Sequence, residues 1–251
     1  MKITPPFGYD AIVPLRKTHR VLMPGATPAF CRRLNALAIS LAEFTVAARD
    51  YPIVFATLDG GESFAPVIVV GLDQGANLFV DASGEWDRNA YFPAFVRRYP
   101  FCISKLYVDG EAKSERVVCV ASASIDEGGV ELFDASGNPT PRWQDAERLL
   151  AEFEADLDRT AQMCAALARL RLLEPFTIQV LAEDRSQVKL DGMHRVSEAR
   201  LSDLKPASHK LLVGKGFMGL IYAHLHSLEN FTRLAARRKQ AGDRDSSASL
   251  R

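Results

Sequence analysis

The stretch that decides the fold class is Ile53-Val54-Phe55-Ala56-Thr57, then Asp59-Gly60-Gly61, then Pro66-Val67-Ile68-Val69-Val70-Gly71-Leu72. Two apolar, β-branched runs flank a turn whose glycines tolerate positive φ, so the chain is expected to reverse as an antiparallel hairpin. Paired runs recur at 101–108 with 116–121, and at 177–181 with 187–191. The regular strand–helix alternation of a parallel sheet is missing. The pattern therefore predicts an α+β protein with mainly antiparallel strands, a long amphipathic helix and C-terminal helices.

The long helix starts at Thr140-Pro141, where threonine can cap free amides and proline is preorganised for the first turn. Trp143, Ala146, Leu150, Phe153, Leu157, Ala161, Cys164 and Ala168 then recur at three and four residues, one apolar stripe running to about residue 173. Residues 41–50 read as one short helix stopped by Pro52. Ser197 opens another helix, and 217–236 form the last. Residues 1–30, with Pro5, Pro6, Pro14, Pro24 and Pro28, read as an extended arm with turns. Residues 237–251 are polar without an apolar period and read as a frayed or disordered tail, and the length of the chain fits one large domain or two small ones. Leu78-Phe79-Val80-Asp81-Ala82-Ser83-Gly84 is echoed by Leu132-Phe133-Asp134-Ala135-Ser136-Gly137, a turn chemistry that Asp, Ser and Gly favour anywhere.

Among 251 residues, 31 Lys and Arg balance 31 Asp and Glu, so the positive excess of a nucleic-acid binder is missing. Cys31, Cys102, Cys119 and Cys164 form no C-x-x-C pair and sit among apolar neighbours, as free structural thiols would. Met1-Lys2-Ile3-Thr4-Pro5-Pro6-Phe7-Gly8 has no apolar h-region or cleavage site and so does not read as a secretory signal, and the longest apolar runs fall short of the ~18 residues of a membrane span. The expected compartment is the cytoplasm.

Chemistry-bearing motifs are sparse. Gly214-Lys215-Gly216-Phe217-Met218-Gly219 matches a dinucleotide-binding string but lies outside any βαβ unit, so it reads as a glycine-rich helix start and no cofactor is assigned. His224 and His226 point about 200° apart on a helix and cannot share a metal. His224 does share a face with Ser227, either as a catalytic fragment or as a half-buried histidine bonded to its neighbour. Arg97-Arg98-Tyr99, with Trp86 and Tyr91 nearby, could hold an anion or stack on a planar ligand; the alternative is a structural pair joining a helix to the next strand. Of the two arginines one should face inward, paired with Asp81, Glu85 or Asp87, and the other solvent or a cleft. No catalytic residue is assigned, and the ligand-binding candidates are Trp86, Tyr91, Arg97, Arg98, Tyr99, His224 and Ser227.

Five further segments stand out, the first three being Arg49-Asp50-Tyr51-Pro52-Ile53-Val54-Phe55, Gly75-Ala76-Asn77-Leu78-Phe79-Val80-Asp81 with Trp86, and Tyr91-Phe92-Pro93-Ala94-Phe95-Val96-Arg97-Arg98-Tyr99-Pro100-Phe101. Leu132-Phe133-Asp134 with Gly137-Asn138-Pro139-Thr140-Pro141, and Ile221-Tyr222-Ala223-His224-Leu225-His226-Ser227-Leu228, follow in order. On these segments the chain resembles the SapC family of bacterial proteins, and because they span nearly the whole chain the resemblance implies a single domain over 1–236. The family's name comes from a protein linked to a paracrystalline surface layer, and many relatives are encoded near TonB-dependent receptors and halogenase-like proteins. The resemblance implies a non-catalytic binding or accessory protein of a surface-layer or envelope-uptake pathway. Its partner would be a protein of that pathway, or a small-molecule or peptide ligand. An enzyme or enzyme partner acting on such a molecule is the alternative, and the oligomeric state is left open.

Overall fold

The computed structural model describes residues 2–57, 63–108, 111–181 and 187–248. Its strands are β1 (Lys2–Ile3), β2 (Ile12–Pro14), β3 (Arg20–Val21), β4 (Ala36–Ala38), β5 (Ile53–Thr57), β6 (Phe64–Val69), β7 (Phe101–Val108), β8 (Glu111–Ala121), β9 (Val130–Glu131), β10 (Leu173–Leu181) and β11 (Gln187–Val196). The α-helices are α1 (Phe44–Ala47), α2 (Ala94–Arg97), α3 (Pro141–Arg169), α4 (Glu198–Ser202), α5 (Pro206–Gly214), α6 (Phe217–Ser227) and α7 (Asn230–Ala248). The strands form a sheet of order β1-β7-β8-β2, a sheet of order β10-β11-β5-β6-β4, and the pair β3-β9. Every pairing between these strands is antiparallel, as the hairpin reading requires. The Asp59-Gly60-Gly61 turn lies outside the described residues.

Ile53, Val54 and Phe55 are all buried, so β5 has both faces covered, which is why it reads as an apolar run without alternation. In β7 and β8 the two faces separate. Phe101 and Val120 join Val21, Leu132, Trp143 and Leu150 in one core, while Cys102 and Cys119 lie in another with Tyr9 and Ala121. The amino-terminal half of α3 packs on the first of these through Trp143 and Leu150. Its other half, through Met163, Cys164 and Leu167, packs into the large core under the five-stranded sheet. One helix therefore ties both sheets, and each large apolar side chain it buries stabilises the fold by about 1.5–3 kcal/mol.

Several expectations are corrected. The Pro-rich first 30 residues are not simply an extended arm: β1, β2 and β3 each add two or three residues to an edge or a small ladder. In α3 the buried line passes through Asp156 and Thr160, while Ala161 is exposed. Those two polar groups are buried because the turn at 41–42 needs acceptors: Ala42 N donates to Asp156 Oδ2 at 2.6 Å and Leu41 N to Thr160 Oγ1 at 3.0 Å. The last helix breaks after Ser227 and restarts at Asn230, and it continues to Ala248 where a disordered tail from 237 was expected. Side-chain anchors explain the extension. Arg238 grips both oxygens of Asp73 at 2.7 and 2.9 Å, and Arg237 donates to Asp87 at 2.6 Å while lying over the Phe79 ring.

The two Asp-Ala-Ser-Gly segments form the same turn. Gly84 N donates to Asp81 O at 3.0 Å and Gly137 N to Asp134 O at 2.8 Å, each glycine at positive φ. Glu85 N and Asn138 N donate to the Oδ1 atoms of Asp81 and Asp134 at 3.0 and 2.8 Å. Each turn closes a single bridge, Val80 to Trp86 and Phe133 to Pro139. The first delivers the chain to α2 and the second to α3, and both exits meet at the same cavity.

Candidate functional site

That cavity has a volume of about 650 Å³ and is lined by the bend 23–28, by residues of the segment 85–99, and by Arg142 in the first turn of α3. Small-molecule sites typically run from roughly 300 to 1,000 Å³. The bend is pinned at both ends, by Leu22 N on Ser124 O at 2.7 Å and by Cys31 N on Pro28 O at 2.9 Å. Pro24 and Pro28 remove backbone donors in between, so this stretch does not extend β3 and curves around the cavity instead.

The opposite wall hangs on a chain of aromatic hydroxyls. Trp86 turns inward and its Nε1 donates to the Tyr51 hydroxyl at 3.0 Å, which donates to the Tyr91 carbonyl at 2.5 Å. The buried carboxylate of Glu43 fixes the next link. Its Oε1 accepts from the Tyr91 hydroxyl at 3.1 Å and from Ala94 N, at the start of α2, at 2.8 Å. Its Oε2 accepts from Ser40 N at 3.0 Å. Burial, reinforced by the Glu43 charge, pushes the Tyr91 phenol up to about 12. The same hydroxyl accepts from Arg97 Nη2 at 3.1 Å, so Glu43 positions Arg97 at the cavity rim through Tyr91.

Arg97 is exposed and faces the cavity, whereas Arg98 turns inward and is only 7% exposed. The expected carboxylate partner for Arg98 is missing: among the described residues no acidic group pairs with it, and its Nε lacks a hydrogen bond. Two phenyl faces take the carboxylate's place, Phe95 at 4.8 Å and Phe153 at 4.6 Å from the guanidinium carbon. A weakly hydrated, planar cation is suited to that setting. The three proposed partners are placed elsewhere. Asp81 is held in its own turn, Asp87 by Arg237, and Glu85 lines the cavity.

His224 and Ser227 lie far inside. His224 Nδ1 donates to Ile53 O at 2.8 Å and its Nε2 accepts from Val196 N at 3.0 Å, so both ring nitrogens are engaged. Ser227 Oγ donates to His224 O at 2.6 Å and accepts from Ile53 N at 2.8 Å. Desolvation drives the imidazole down to about 4, against the pull of the Ile53 carbonyl, and keeps it neutral. The pair fastens α6 to β5 and to the end of β11, and does not meet the arginine cavity. Trp86, Arg97 and Tyr99 line that cavity together; Tyr91 supports it from behind, and Arg98 is not part of its lining.

Arg88 and Arg142 are the charged lining residues that sequence reasoning missed. Neither side chain bonds to any described residue, unlike Arg116, Arg195 and Arg238, which close ion pairs. No spacing connects positions 88 and 142, which only the tertiary fold brings together. Glu43 was legible, since Ser40-Leu41-Ala42-Glu43 has the capping-box spacing. Asp87 titrates below the usual carboxylate range: burial raises it, but the Asn89 amide and Arg237 outweigh burial. With Asp87 neutralised by Arg237, the cavity presents three guanidiniums against the single free carboxylate of Glu85.

The family model described as SapC matches residues 16–234, nearly the whole chain and all of this cavity. Comparison with curated proteins and with solved structures finds no match.

Proposed function

The chain belongs to the SapC family, and on that premise we propose that it is a non-catalytic binding or accessory protein of a surface-layer or envelope-uptake pathway. It works in the cytoplasm and holds its ligand or partner in the cavity between the 23–28 bend and the 85–99 segment. The observation that carries this reading is a pair of guanidiniums, Arg88 and Arg142, that have no partner among the described residues and line one cavity with Arg97. Long cationic side chains lose conformational entropy when they are ordered, and a ligand that offers acceptors compensates for that loss. A second reading, an enzyme or enzyme partner acting on a small molecule or peptide, is favoured by the cavity's volume.

A pull-down from the native organism, with mass spectrometry of retained proteins and small molecules, separates the two. The binding reading expects a retained envelope or uptake protein, or a compound whose mass is unchanged after incubation with the purified chain. A retained compound that is converted on incubation favours the enzyme. Recovery of nothing above the background of an unrelated control protein contradicts both.

A further inference from the structure

We propose that the ligand of this cavity is a small aromatic acid, a flat apolar body carrying a carboxylate or a similar anion. The inference deepens the binding reading above and rests on it. Two features of the lining work in combination.

The first is charge. The chain as a whole is neutral, yet here Arg88, Arg97 and Arg142 face only Glu85 and Asp87, and Asp87 is held by Arg237 at 2.6 Å. Guanidiniums present paired N–H donors in a fixed plane, the geometry that carboxylates accept. Arg97 is also preset, because its Nη2 rests 3.1 Å from the Tyr91 hydroxyl that Glu43 holds. A cation oriented before binding loses less freedom on meeting its anion.

The second feature is the apolar wall. Phe92 and Tyr99 are half-buried and line the cavity beside Val96, with Trp86 behind them at 5.6 Å from the Phe92 ring centre. Aromatic rings favour offset or edge contacts with a planar guest. An anion without an apolar body would leave this wall exposed to water, and a neutral ring would leave the guanidiniums unmatched. The volume of about 650 Å³ lies within the range of small-molecule sites, roughly 300 to 1,000 Å³.

Three probes test this by isothermal titration: 2-naphthoate, its neutral analogue 2-naphthamide, and inorganic phosphate. The expected result is saturable binding of 2-naphthoate, with the amide and phosphate each at least tenfold weaker. Arg142→Ala and Arg88→Ala should each weaken 2-naphthoate about threefold to tenfold, and the triple Arg88→Ala, Arg97→Ala, Arg142→Ala variant should abolish it. Circular dichroism confirms that the triple variant is folded. Equal affinity for the amide, equal affinity for phosphate, no saturation by 2-naphthoate at millimolar concentration, or undiminished binding to the triple variant overturns the proposal. Its failure is distinct from failure of the binding reading. If 2-naphthoate does not bind but the triple variant loses what the wild type retains in a pull-down, the ligand class falls and the cavity's role stands. If 2-naphthoate binds wild type alone while the pull-down ignores the triple substitution, the ligand class stands and the accessory role falls.

Discussion

The arginine cavity and the His224–Ser227 knot each gather polar side chains of the kind that can do chemistry, but their polar atoms are used differently. In the knot each ring nitrogen of His224 has a backbone partner, and Ser227 bridges Ile53 N and its own helix. At the cavity the Arg88 and Arg142 side chains bond to no partner among the described residues. The sequence leaves His224–Ser227 open between a catalytic fragment and a bonded histidine, and Arg97–Arg98 between an anion site and a structural link; here His224 fastens the fold, Arg98 is buried, and Arg97 lines the cavity. What distinguishes a site from a scaffold is the set of polar atoms left over after folding.

If that contrast is right, substitutions should divide sharply. His224→Ala leaves Val196 N and the Ile53 carbonyl unpaired in the interior and opens a void against Phe55, so it should cost about 4 kcal/mol by denaturant unfolding. A cost below about 1 kcal/mol would erase the difference between the regions.

Acid should probe the same knot. Because the folded imidazole titrates at about 4 and an unfolded histidine near 6.5, the folded state binds fewer protons between those values. The stabilising contribution is fully present above pH 6.5 and lost as pH falls toward 4, amounting to roughly 3 kcal/mol. Comparing unfolding free energies of wild type and His224→Asn across that window isolates it. Parallel curves would mean that His224 does not titrate as its burial requires.

Arg98 lies between the two extremes, a buried cation without a carboxylate. Arg98→Ala should cost about 2 kcal/mol through lost packing on Phe95 and Phe153. Arg98→Met, which keeps the stem, should cost less than about 1 kcal/mol. A hidden ion pair would instead show as a loss of roughly 3–5 kcal/mol in both. The smallest effect belongs to Arg88→Ala and Arg142→Ala, each within about 0.5 kcal/mol of wild type, since both are exposed and unpaired among the described residues.

The legible parts of the fold were those with strong local signals. The hairpins at 53–72, 101–121 and 177–191 announce themselves through β-branched runs, the last of them extending in the fold to Leu173–Leu181 and Gln187–Val196, and α3 announces itself through its Thr140-Pro141 start. The edge strands β1 to β4 were not legible, because two or three residues carry no period and proline argues against pairing. The extension of α7 depends on Arg237 and Arg238 finding Asp87 and Asp73, contacts between residues about 150 positions apart or more. The candidate site divides the same way. Trp86, Arg97 and Tyr99 were close enough in sequence to be read as one neighbourhood, whereas Arg88 and Arg142 share the cavity only because two like turns direct separate segments toward it.

The most direct test of the account runs two variants side by side in the native-organism pull-down, the Arg88/Arg97/Arg142 triple alanine and His224→Asn. The triple variant should keep its melting temperature within about 2 °C and lose what the wild type retains. His224→Asn should melt earlier yet, below its transition, retain the same molecules. Retention by the triple variant, together with loss in folded His224→Asn, would contradict the account and move the site to the interior knot.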